Sequence, residues 1–228
     1  MEAKGATIVQ IITTEDGSHS LFLPHLDETY HSRHGAVQES NHVFITNGLH
    51  YTAAQKKSLR LLEVGFGTGL NAFLTMQYAG TNNVHVHYTT LETAPLQKEV
   101  YQALNYASQD LPAEQSFLAL HNAAWSHSSS INKNFTLEKK QISIQEFSSN
   151  ADFDLVYYDA FGPPTQPEMW IADIFSKLYS LMSSGGVLVT YCAKGEVRRN
   201  MQAAGFAVER LPGPPGKREM LRATKPLS

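Results

Sequence analysis

The chain has 228 residues, of which 42% are hydrophobic, so it can bury one good core and is expected to be one domain with additions. The absence of any run of about 18 apolar residues and of a signal-peptide core at the N-terminus excludes a membrane-spanning helix and predicts a soluble, cytoplasmic protein. Cys192 is the only cysteine, which excludes disulfide frameworks and cysteine-based zinc sites; it is expected to be a small apolar residue of a buried strand.

Charge is distributed unevenly along the chain. The formal net charge is −3, but the residues from Lys194 onward include eight Lys or Arg and three acidic residues, a net +5, and the first 193 residues therefore carry −8. A basic end on an acidic body indicates a surface that faces phosphates, although ordinary solvated side chains would give the same count.

The N-terminal residues 1–57 are predicted to form a β extension and a lid-like segment ahead of a domain at residues 58–228. Residues 7–23 read as two strands around the turn Asp16-Gly17. The polar residues 27–40 fit two interpretations equally well, a lid over a ligand pocket or plain connecting structure. The apolar residues 43–45 and a turn at Asn47-Gly48 follow.

From residue 58 onward the pattern alternates between strands and helices, which indicates an α/β fold. Strands are predicted at residues 59–64, 84–91, 135–144, 155–158, 186–193, 206–211 and 218–224. Helices are predicted at residues 69–79, 95–106, 110–125, 168–182 and 195–204, with Trp170 expected in the core. Residues 126–133 are predicted to be a turn or loop, the strand at 135–144 is expected near an edge, and Gly185-Gly186 is expected to end a helix.

A glycine-rich turn follows the first of these strands, in the sequence Leu-Leu-Glu-Val-Gly-Phe-Gly-Thr-Gly-Leu-Asn at residues 61–71. Gly65, Gly67 and Gly69 allow positive φ and a close approach to bare backbone, and the helix that follows offers unpaired N–H groups. The turn reads G-x-G-x-G and departs from the dinucleotide pattern G-x-G-x-x-G. It predicts either a nucleoside-type ligand or a plain strand-to-helix turn.

Two carboxylates stand at the ends of predicted strands. Glu92 lies 23 residues beyond Gly69, close to the spacing at which an acidic residue holds ribose hydroxyls, in either NAD or S-adenosylmethionine. The tight glycine turn, the lack of a second nucleotide-binding half and the closing strand pair favour S-adenosylmethionine. Asp159 ends the strand at 155–158 and is expected in the same crevice, where it either accepts a proton from a substrate amine or caps the next segment.

Several further sequence blocks resemble one family. They are Asp-Glu-Thr-Tyr-His-Ser (27–32), Gln-Glu-Ser (38–40), Val-Phe-Ile (43–45), the glycine turn, Asp-Ala-Phe-Gly-Pro-Pro (159–164), Pro-Glu-Met-Trp (167–170), Gly-Glu-Val-Arg-Arg (195–199) and Gly-Lys-Arg-Glu-Met-Leu (216–221). In this order they closely resemble the methyltransferase half of MnmC-type tRNA wobble-uridine modification proteins, over nearly the whole chain.

The resemblance implies a Rossmann-like class I methyltransferase dependent on S-adenosylmethionine, with a mostly parallel seven-stranded sheet and a closing antiparallel hairpin. The implied reaction methylates the exocyclic amine of 5-aminomethyl(-2-thio)uridine at the tRNA wobble position, and the partner is the anticodon stem-loop. Bifunctional members carry an FAD-dependent oxidoreductase domain, for which this chain has no room. It is therefore expected to do only the methylation, with a separate enzyme supplying the aminomethyl precursor.

The resemblance also implies roles for individual residues. The cofactor site comprises Glu63, Gly65, Gly67, Gly69, Asn71, Glu92, Ser143 and Asp159. In it the glycines lie under the methionine portion and Glu92 binds the ribose. Ser143 stands where many class I methyltransferases place an acidic residue near adenine. Asp159 is also the catalytic residue, beside the reacting amine. The substrate side comprises Tyr30, Phe161, Lys194, Arg198, Arg199, Lys217 and Arg218, with the basic residues on anticodon-stem phosphates; no metal is expected.

Two other classes of function fit the same residues. A small-molecule transferase acting on a free amine or polyamine predicts turnover without RNA and no sensitivity to salt. A non-catalytic nucleotide-binding or RNA-binding module predicts binding without methyl transfer. The fold alone does not separate these functions.

Overall fold

A computed structural model describes residues 9–107 and 110–227. Residues 7 and 8, the predicted start of the first strand, lie outside the described part. The described strands are β1 Gln10–Thr13, β2 His19–Leu23, β3 Glu28–Thr29, β4 Ser58–Val64, β5 His85–Leu91, β6 Ser128–Asn132, β7 Phe135–Lys140, β8 Phe153–Tyr158, β9 Met182–Thr190, β10 Ala207–Pro212 and β11 Glu219–Thr224.

The core of the molecule is a mixed sheet in the order β10-β11-β9-β8-β4-β5-β7-β6. Strands β7, β5, β4, β8 and β9 are parallel to one another, and β11 and β10 extend the sheet beyond β9 as antiparallel strands. All six residues of β8 are buried, as expected of a central parallel strand covered on both faces. The predicted α/β architecture with its closing hairpin is therefore present.

Helices cover both faces of this sheet. They are α1 Ala36–Ser40, a π-helix at Asn41–His50, α2 Tyr51–Ala53, α3 Leu70–Asn82, α4 Lys98–Gln102, α5 Leu111–Asn122, a 3₁₀ turn at Pro167–Met169, α6 Ala172–Ser180 and α7 Gly195–Ala203. One face packs Phe44, Phe73 and Phe117 around Tyr157, and the other packs residues of α6 and α7 against β8 and β9. Within the described residues, no helix combines the length and the apolar character that a membrane crossing requires.

Side chains of the N-terminal hairpin, the Asp16 carboxylate among them, accept hydrogen bonds from the start of the helical segment. Asp16 accepts a hydrogen bond from the Ser18 N–H at 3.0 Å within the hairpin and another from the Gln38 N–H at 2.9 Å in α1. Residues of this extension, including Leu21 and Phe44, belong to the same core cluster as the central sheet. The division of the chain at residue 57 stays a prediction.

The predicted turn at Asn47-Gly48 is wrong, because both residues lie inside the π-helix. A Cβ on Gly48 would come within 2.9 Å of Val189 Cγ2 and 3.2 Å of the Tyr157 ring. This glycine allows the helix to approach the sheet closely. The dipeptide Asn-Gly is typical of a turn and does not indicate this packing role.

Three other elements differ from prediction. The predicted loop at 126–133 contains β6, an eighth strand beyond the seven expected, which pairs antiparallel with β7 at the edge of the sheet. An edge strand needs backbone partners more than apolar side chains, so its Ser-rich sequence gave no signal. Gly185-Gly186 lies within β9 at a register shift, where a Cβ on Gly186 would be 2.8 Å from the Ser183 carbonyl oxygen.

The helix predicted at 95–106 is shorter than expected, since α4 begins only at Lys98 and ends at Gln102. Beyond it, Asn105 Oδ1 accepts the His19 N–H at 2.7 Å and the Tyr106 hydroxyl donates to the His19 carbonyl oxygen at 2.9 Å. These contacts with the N-terminal hairpin hold residues 105 and 106 outside the helix. The periodicity of apolar residues cannot predict such contacts.

Candidate active site

A cavity of about 550 Å³ opens at the carboxyl ends of β4, β5 and β8. Such crevices at the carboxyl ends of parallel strands are where open α/β sheets bind ligands, and this volume suits a cofactor-sized molecule. Of the predicted site residues, those that line it are Tyr30, Gly65, Gly67, Asn71, Glu92, Ser143, Asp159, Phe161 and Lys217.

The glycine turn forms the floor of the cavity between β4 and α3. Gly65, Gly67 and Gly69 have φ of +96°, +49° and +76°, values that side-chain-bearing residues rarely adopt. A Cβ on Gly65 would lie 2.8 Å from the Asp159 carbonyl oxygen. A Cβ on Gly69 would lie 2.8 Å from His121 Nε2, so the turn requires glycine at this position as well. Gly69 is not among the described residues that line the cavity.

Glu92 stands at the end of β5 with its carboxylate fixed over the glycine turn. Its Oε2 accepts the Gly67 N–H at 3.0 Å and its Oε1 accepts the Ala94 N–H at 2.8 Å. These bonds set the orientation of the carboxylate, and each oxygen keeps acceptor capacity toward the cavity. The geometry fits the ribose role that the resemblance implies.

Asp159 faces the glycine turn from the end of β8. Its backbone N–H donates to the Val64 carbonyl oxygen at 3.1 Å, and Asn71 Nδ2 donates to its Oδ2 at 2.9 Å. Burial, followed by the nearby Glu39 carboxylate, raises the pKa of Asp159 to about 7, while the Asn71 hydrogen bond and Lys217 act in the opposite direction. A carboxyl that is partly ionised at neutral pH suits proton exchange with a ligand.

The polar N-terminal segment contributes side chains to one wall of the cavity, and its role as a lid stays a prediction. Glu28, Tyr30 and Glu39 line the cavity, and the Tyr30 ring lies edge-on to the Phe161 ring with centroids 5.1 Å apart. The Thr165 hydroxyl donates to Glu28 Oε2 at 2.8 Å, which joins this segment to the loop after β8.

Apolar side chains surround Ser143 in the cavity lining. Ile142 and Ile144 flank it, together with Leu91 and Met169. The Ser143 hydroxyl donates to Glu146 Oε2 at 2.9 Å. The resemblance implies adenine near Ser143, and this role stays a prediction.

Two predicted residues take positions that the sequence does not indicate. Glu63 is fully buried on β4 behind the described cavity lining, and burial raises its pKa to about 8. Lys217 lies in the cavity wall, where its ammonium group forms an ion pair with Glu39 and sits 4.0 Å from the centroid of the Tyr191 ring. A phosphate contact by Lys217 would have to compete with Glu39.

The remaining basic residues lie outside the described cavity lining. Lys194, Arg199 and Arg218 are exposed, and within the described ranges none of them forms an ion pair. Arg198 is half-buried and its Nε has no hydrogen-bond partner. Lys194 and Arg218 follow the cavity residues Tyr191 and Lys217 closely in sequence.

Sequence analysis missed several residues of the site, chiefly Glu39, Gln166, Glu168 and Tyr191. Tyr191 directly follows β9, so the strand-end rule that found Glu92 and Asp159 could have found it as well. Glu39 belongs to a helix far away in sequence, and no local pattern brings it to Asp159.

The described cavity lining is strongly acidic. Five carboxyl groups line it, from Glu28, Glu39, Glu92, Asp159 and Glu168, and Lys217 is the one lysine or arginine among its described residues. Burial also lowers the pKa of the lining residue His31 to about 4, so this imidazole adds no positive charge at neutral pH. The field favours cationic ligands such as a sulfonium or an ammonium group. In the described part of the chain, no group of three or more His, Cys, Asp or Glu is arranged to hold a metal ion.

Comparison with known proteins gives a consistent picture. A family model described as S-adenosyl-L-methionine-dependent methyltransferase matches residues 102–226. The chain is 31% identical over 220 residues to the tRNA 5-methylaminomethyl-2-thiouridine biosynthesis bifunctional protein MnmC of Cupriavidus necator, covering 89% of this chain and 32% of that protein. The MnmC protein of Magnetococcus marinus is also 31% identical, over 88% of this chain and 32% of its own length. The chain thus spans about a third of these curated relatives.

Solved structures agree with this fold. The crystal structure of MNMC2 from Aquifex aeolicus superposes with a TM-score of 0.82 at 25% identity, over 99% of this chain and 73% of that one. Spermidine synthase from Thermotoga maritima gives a TM-score of 0.58 at 12% identity, over 96% and 70%, which is a likeness of fold only. The Rossmann-like class I architecture predicted from the sequence is confirmed.

Proposed function

The chain belongs to the family of S-adenosyl-L-methionine-dependent methyltransferases, and from this premise we propose that it methylates the exocyclic amine of 5-aminomethyl(-2-thio)uridine at the tRNA wobble position. The observation that carries the proposal is Asp159, held opposite the glycine turn in an acid-lined cavity. The names of the curated relatives and the likeness to MNMC2 support the choice of substrate. The same proposal places the reaction in the cytoplasm, on tRNA whose aminomethyl group another activity has made.

The residues present fit the cofactor. Gly65 and Gly67 line the cavity, Glu92 is oriented to accept hydrogen bonds from ribose hydroxyls, and Ile142 and Ile144 offer a surface for adenine. When bound, S-adenosylmethionine supplies an electrophilic methyl group on a sulfonium. The protein must then hold the amine of the substrate in line with that methyl group.

Asp159 acts on the amine side of the cavity. An aliphatic amine is largely protonated at neutral pH, and the acidic lining draws in this ammonium form. A nucleophilic amine needs a free lone pair, so one proton must leave before attack. Asp159 accepts it, because a base with a pKa near the working pH combines availability with sufficient basicity.

The direct test is incubation of the protein with labelled S-adenosylmethionine and tRNA from a strain that lacks the methylation, followed by nucleoside mass analysis. The expected product is 5-methylaminomethyl(-2-thio)uridine, one methyl group heavier than the substrate nucleoside. Free amines and polyamines serve as competing substrates in the same assay. Methyl transfer to these compounds without RNA, and none to tRNA, would replace the proposal with the small-molecule function.

The exposed basic residues that are close in sequence to the cavity lining are proposed to contact anticodon-stem phosphates. Because Lys217 is paired with Glu39, the exposed Lys194 and Arg218 are the better probes. The double variant Lys194→Glu and Arg218→Glu should weaken tRNA binding about tenfold or more. It should also flatten the slope of log Kd against log salt by about 2, or about 1 for each lost phosphate contact, as measured by filter binding across a salt series.

A matched control changes the same number of charges at the opposite edge of the sheet. Lys57 and Lys133 are exposed and precede β4 and β7, at the amino ends of parallel strands. The variant Lys57→Glu and Lys133→Glu should keep the wild-type salt slope. If both double variants weaken tRNA binding equally, only net charge matters and the proposed surface is wrong.

A further inference from the structure

A buried carboxyl group lies directly behind Asp159. Glu63 is on β4, the strand beside β8, and has no exposed surface. Asn71, in the first turn of α3, lies within hydrogen-bonding reach of the Glu63 carboxyl group and donates from its Nδ2 to Asp159 Oδ2 at 2.9 Å. Glu63, Asn71 and Asp159 therefore form a row from the core to the cavity, which we call the carboxyl–amide row.

Two oxygens of this row have no hydrogen-bond partner. Glu63 Oε2 accepts the Thr90 hydroxyl at 2.7 Å, but Glu63 Oε1 and Asn71 Oδ1 are both buried and unpaired. Two bare acceptors in the core are costly. One proton on Glu63 Oε1 removes both defects, because a neutral carboxylic acid can donate to the amide oxygen.

Burial and the negative charge of Asp159 favour this neutral form of Glu63. Side-chain hydrogen bonding by Thr90, Tyr88 and Asn71 acts in the opposite direction on its pKa. No cation is among the groups that shift the pKa of Glu63. Burial is the largest influence, and the repulsion by Asp159 acts in the same direction.

Asp159 has different neighbours. Besides Asn71, the charges of Glu39 in α1 and of Lys217 in the loop between β10 and β11 influence its pKa. Its side chain is partly exposed and lines the cavity. Glu39 disfavours its ionisation, while Lys217 and the Asn71 hydrogen bond favour it. Of the two carboxyl groups, Asp159 is therefore the one better placed to carry the negative charge.

We propose that Glu63 is a positioning residue that stays protonated, donates to Asn71 Oδ1 and thereby keeps the Asn71 amide nitrogen turned toward an ionised Asp159. This inference rests on the proposed function, because it assigns the support of the base that accepts the amine proton. If the proton moved to Asp159, the amide would turn over and donate to Glu63 instead. The orientation of Asn71 thus couples the two carboxyl groups.

The protonation state can be measured without substrate. Protein labelled with ¹³C at the side-chain carboxyl carbon of glutamate reports glutamates and not Asp159. One resonance should remain at the chemical shift of a neutral acid at pH 7, and it should be missing from Glu63→Gln. If every glutamate resonance has the shift of a carboxylate at pH 7, the proposal is overturned. This readout stands even if the wild-type protein fails to methylate tRNA, an outcome that would refute the proposed function alone.

The functional consequence is tested with two replacements of similar size. Glu63→Gln can still donate to Asn71 Oδ1 and accept from Thr90, so it should retain most of the turnover and the pH profile of the wild type. Glu63→Leu cannot donate, so kcat should fall about 10- to 100-fold, and the apparent pKa of the ascending limb should rise because Asp159 loses an oriented donor. Equal losses in both variants, or a Leu variant with an unshifted limb, would contradict the positioning role.

A cofactor titration separates this role from direct cofactor binding, which the sequence predicted for Glu63. The dissociation constant of S-adenosylhomocysteine should change less than about threefold in Glu63→Gln, and thermal unfolding should confirm that both variants are folded. A large loss of affinity in the Gln variant, with normal turnover at saturation, would restore Glu63 as a cofactor ligand and overturn the inference.

Discussion

Replacing Asp159 with Asn should lower kcat for methyl transfer by about 10²- to 10⁴-fold, the usual contribution of a positioned proton acceptor. The substitution keeps the size of the side chain, and it replaces the carboxylate with an amide that cannot accept a proton at neutral pH. The dissociation constant of S-adenosylmethionine, measured by calorimetry, should stay within about threefold of the wild-type value. A variant with near wild-type turnover would show that another group takes the proton.

The dependence on pH should change in the same variant. Wild-type kcat should rise as the pH passes through about 7, because only ionised Asp159 accepts a proton and burial has raised its pKa to that range. Asp159→Asn should lack this limb. An exposed aspartate close to β8, Asp152, offers a matched control, and Asp152→Asn should keep both the rate and the limb.

As the pH rises, the stability of the wild-type protein should fall while its kcat increases. The folded protein holds a proton on Asp159 more tightly than the unfolded chain, whose aspartate titrates at its ordinary value of 3.8. Rising pH between 3.8 and about 7 therefore removes stability from the wild type and not from Asp159→Asn. The difference in Tm between the two proteins should grow in favour of the variant across this window.

The sequence predicted the cofactor side of the site more completely than the substrate side. One rule, that ligand-binding residues stand at the carboxyl ends of parallel strands, predicts Gly65, Glu92 and Asp159. The structure places all three at one cavity. Local sequence patterns are enough to locate the strand ends to which that rule applies. Glu39 and Lys217 reach the same cavity from a helix and a loop 178 residues apart, and only the assembled fold brings them together.

The errors in the predicted elements have a related cause. β6 has few apolar residues and exists because β7 offers an unpaired edge, and α4 stops where the N-terminal hairpin binds Asn105 and Tyr106. Position 48 of the π-helix requires glycine because Val189 and Tyr157 leave no room for a Cβ. In each case a partner outside the element itself decides the local structure, and patterns of hydrophobicity do not contain that partner.

Replacing Gly65 with Ala should weaken S-adenosylmethionine binding by about 100-fold and lower the Tm. The residue has φ of +96°, where a side chain costs about 1–3 kcal/mol, and its new Cβ would lie 2.8 Å from the Asp159 carbonyl oxygen. Relief of that contact must move the turn, the end of β8 or both, which displaces the cofactor floor and the proposed base together. Calorimetric titration of the folded variant measures the loss.

The contrast with Gly80 makes this prediction specific to the turn. Gly80 lies exposed near the end of α3 at an ordinary φ, and a Cβ there would meet nothing within 4 Å. Gly80→Ala should therefore stabilise the protein by about 0.5–1 kcal/mol through helix propensity and leave cofactor affinity unchanged. Wild-type affinity in Gly65→Ala, or an equal loss in both variants, would mean that the ligand does not depend on the close approach of β4 and β8 at the glycine turn.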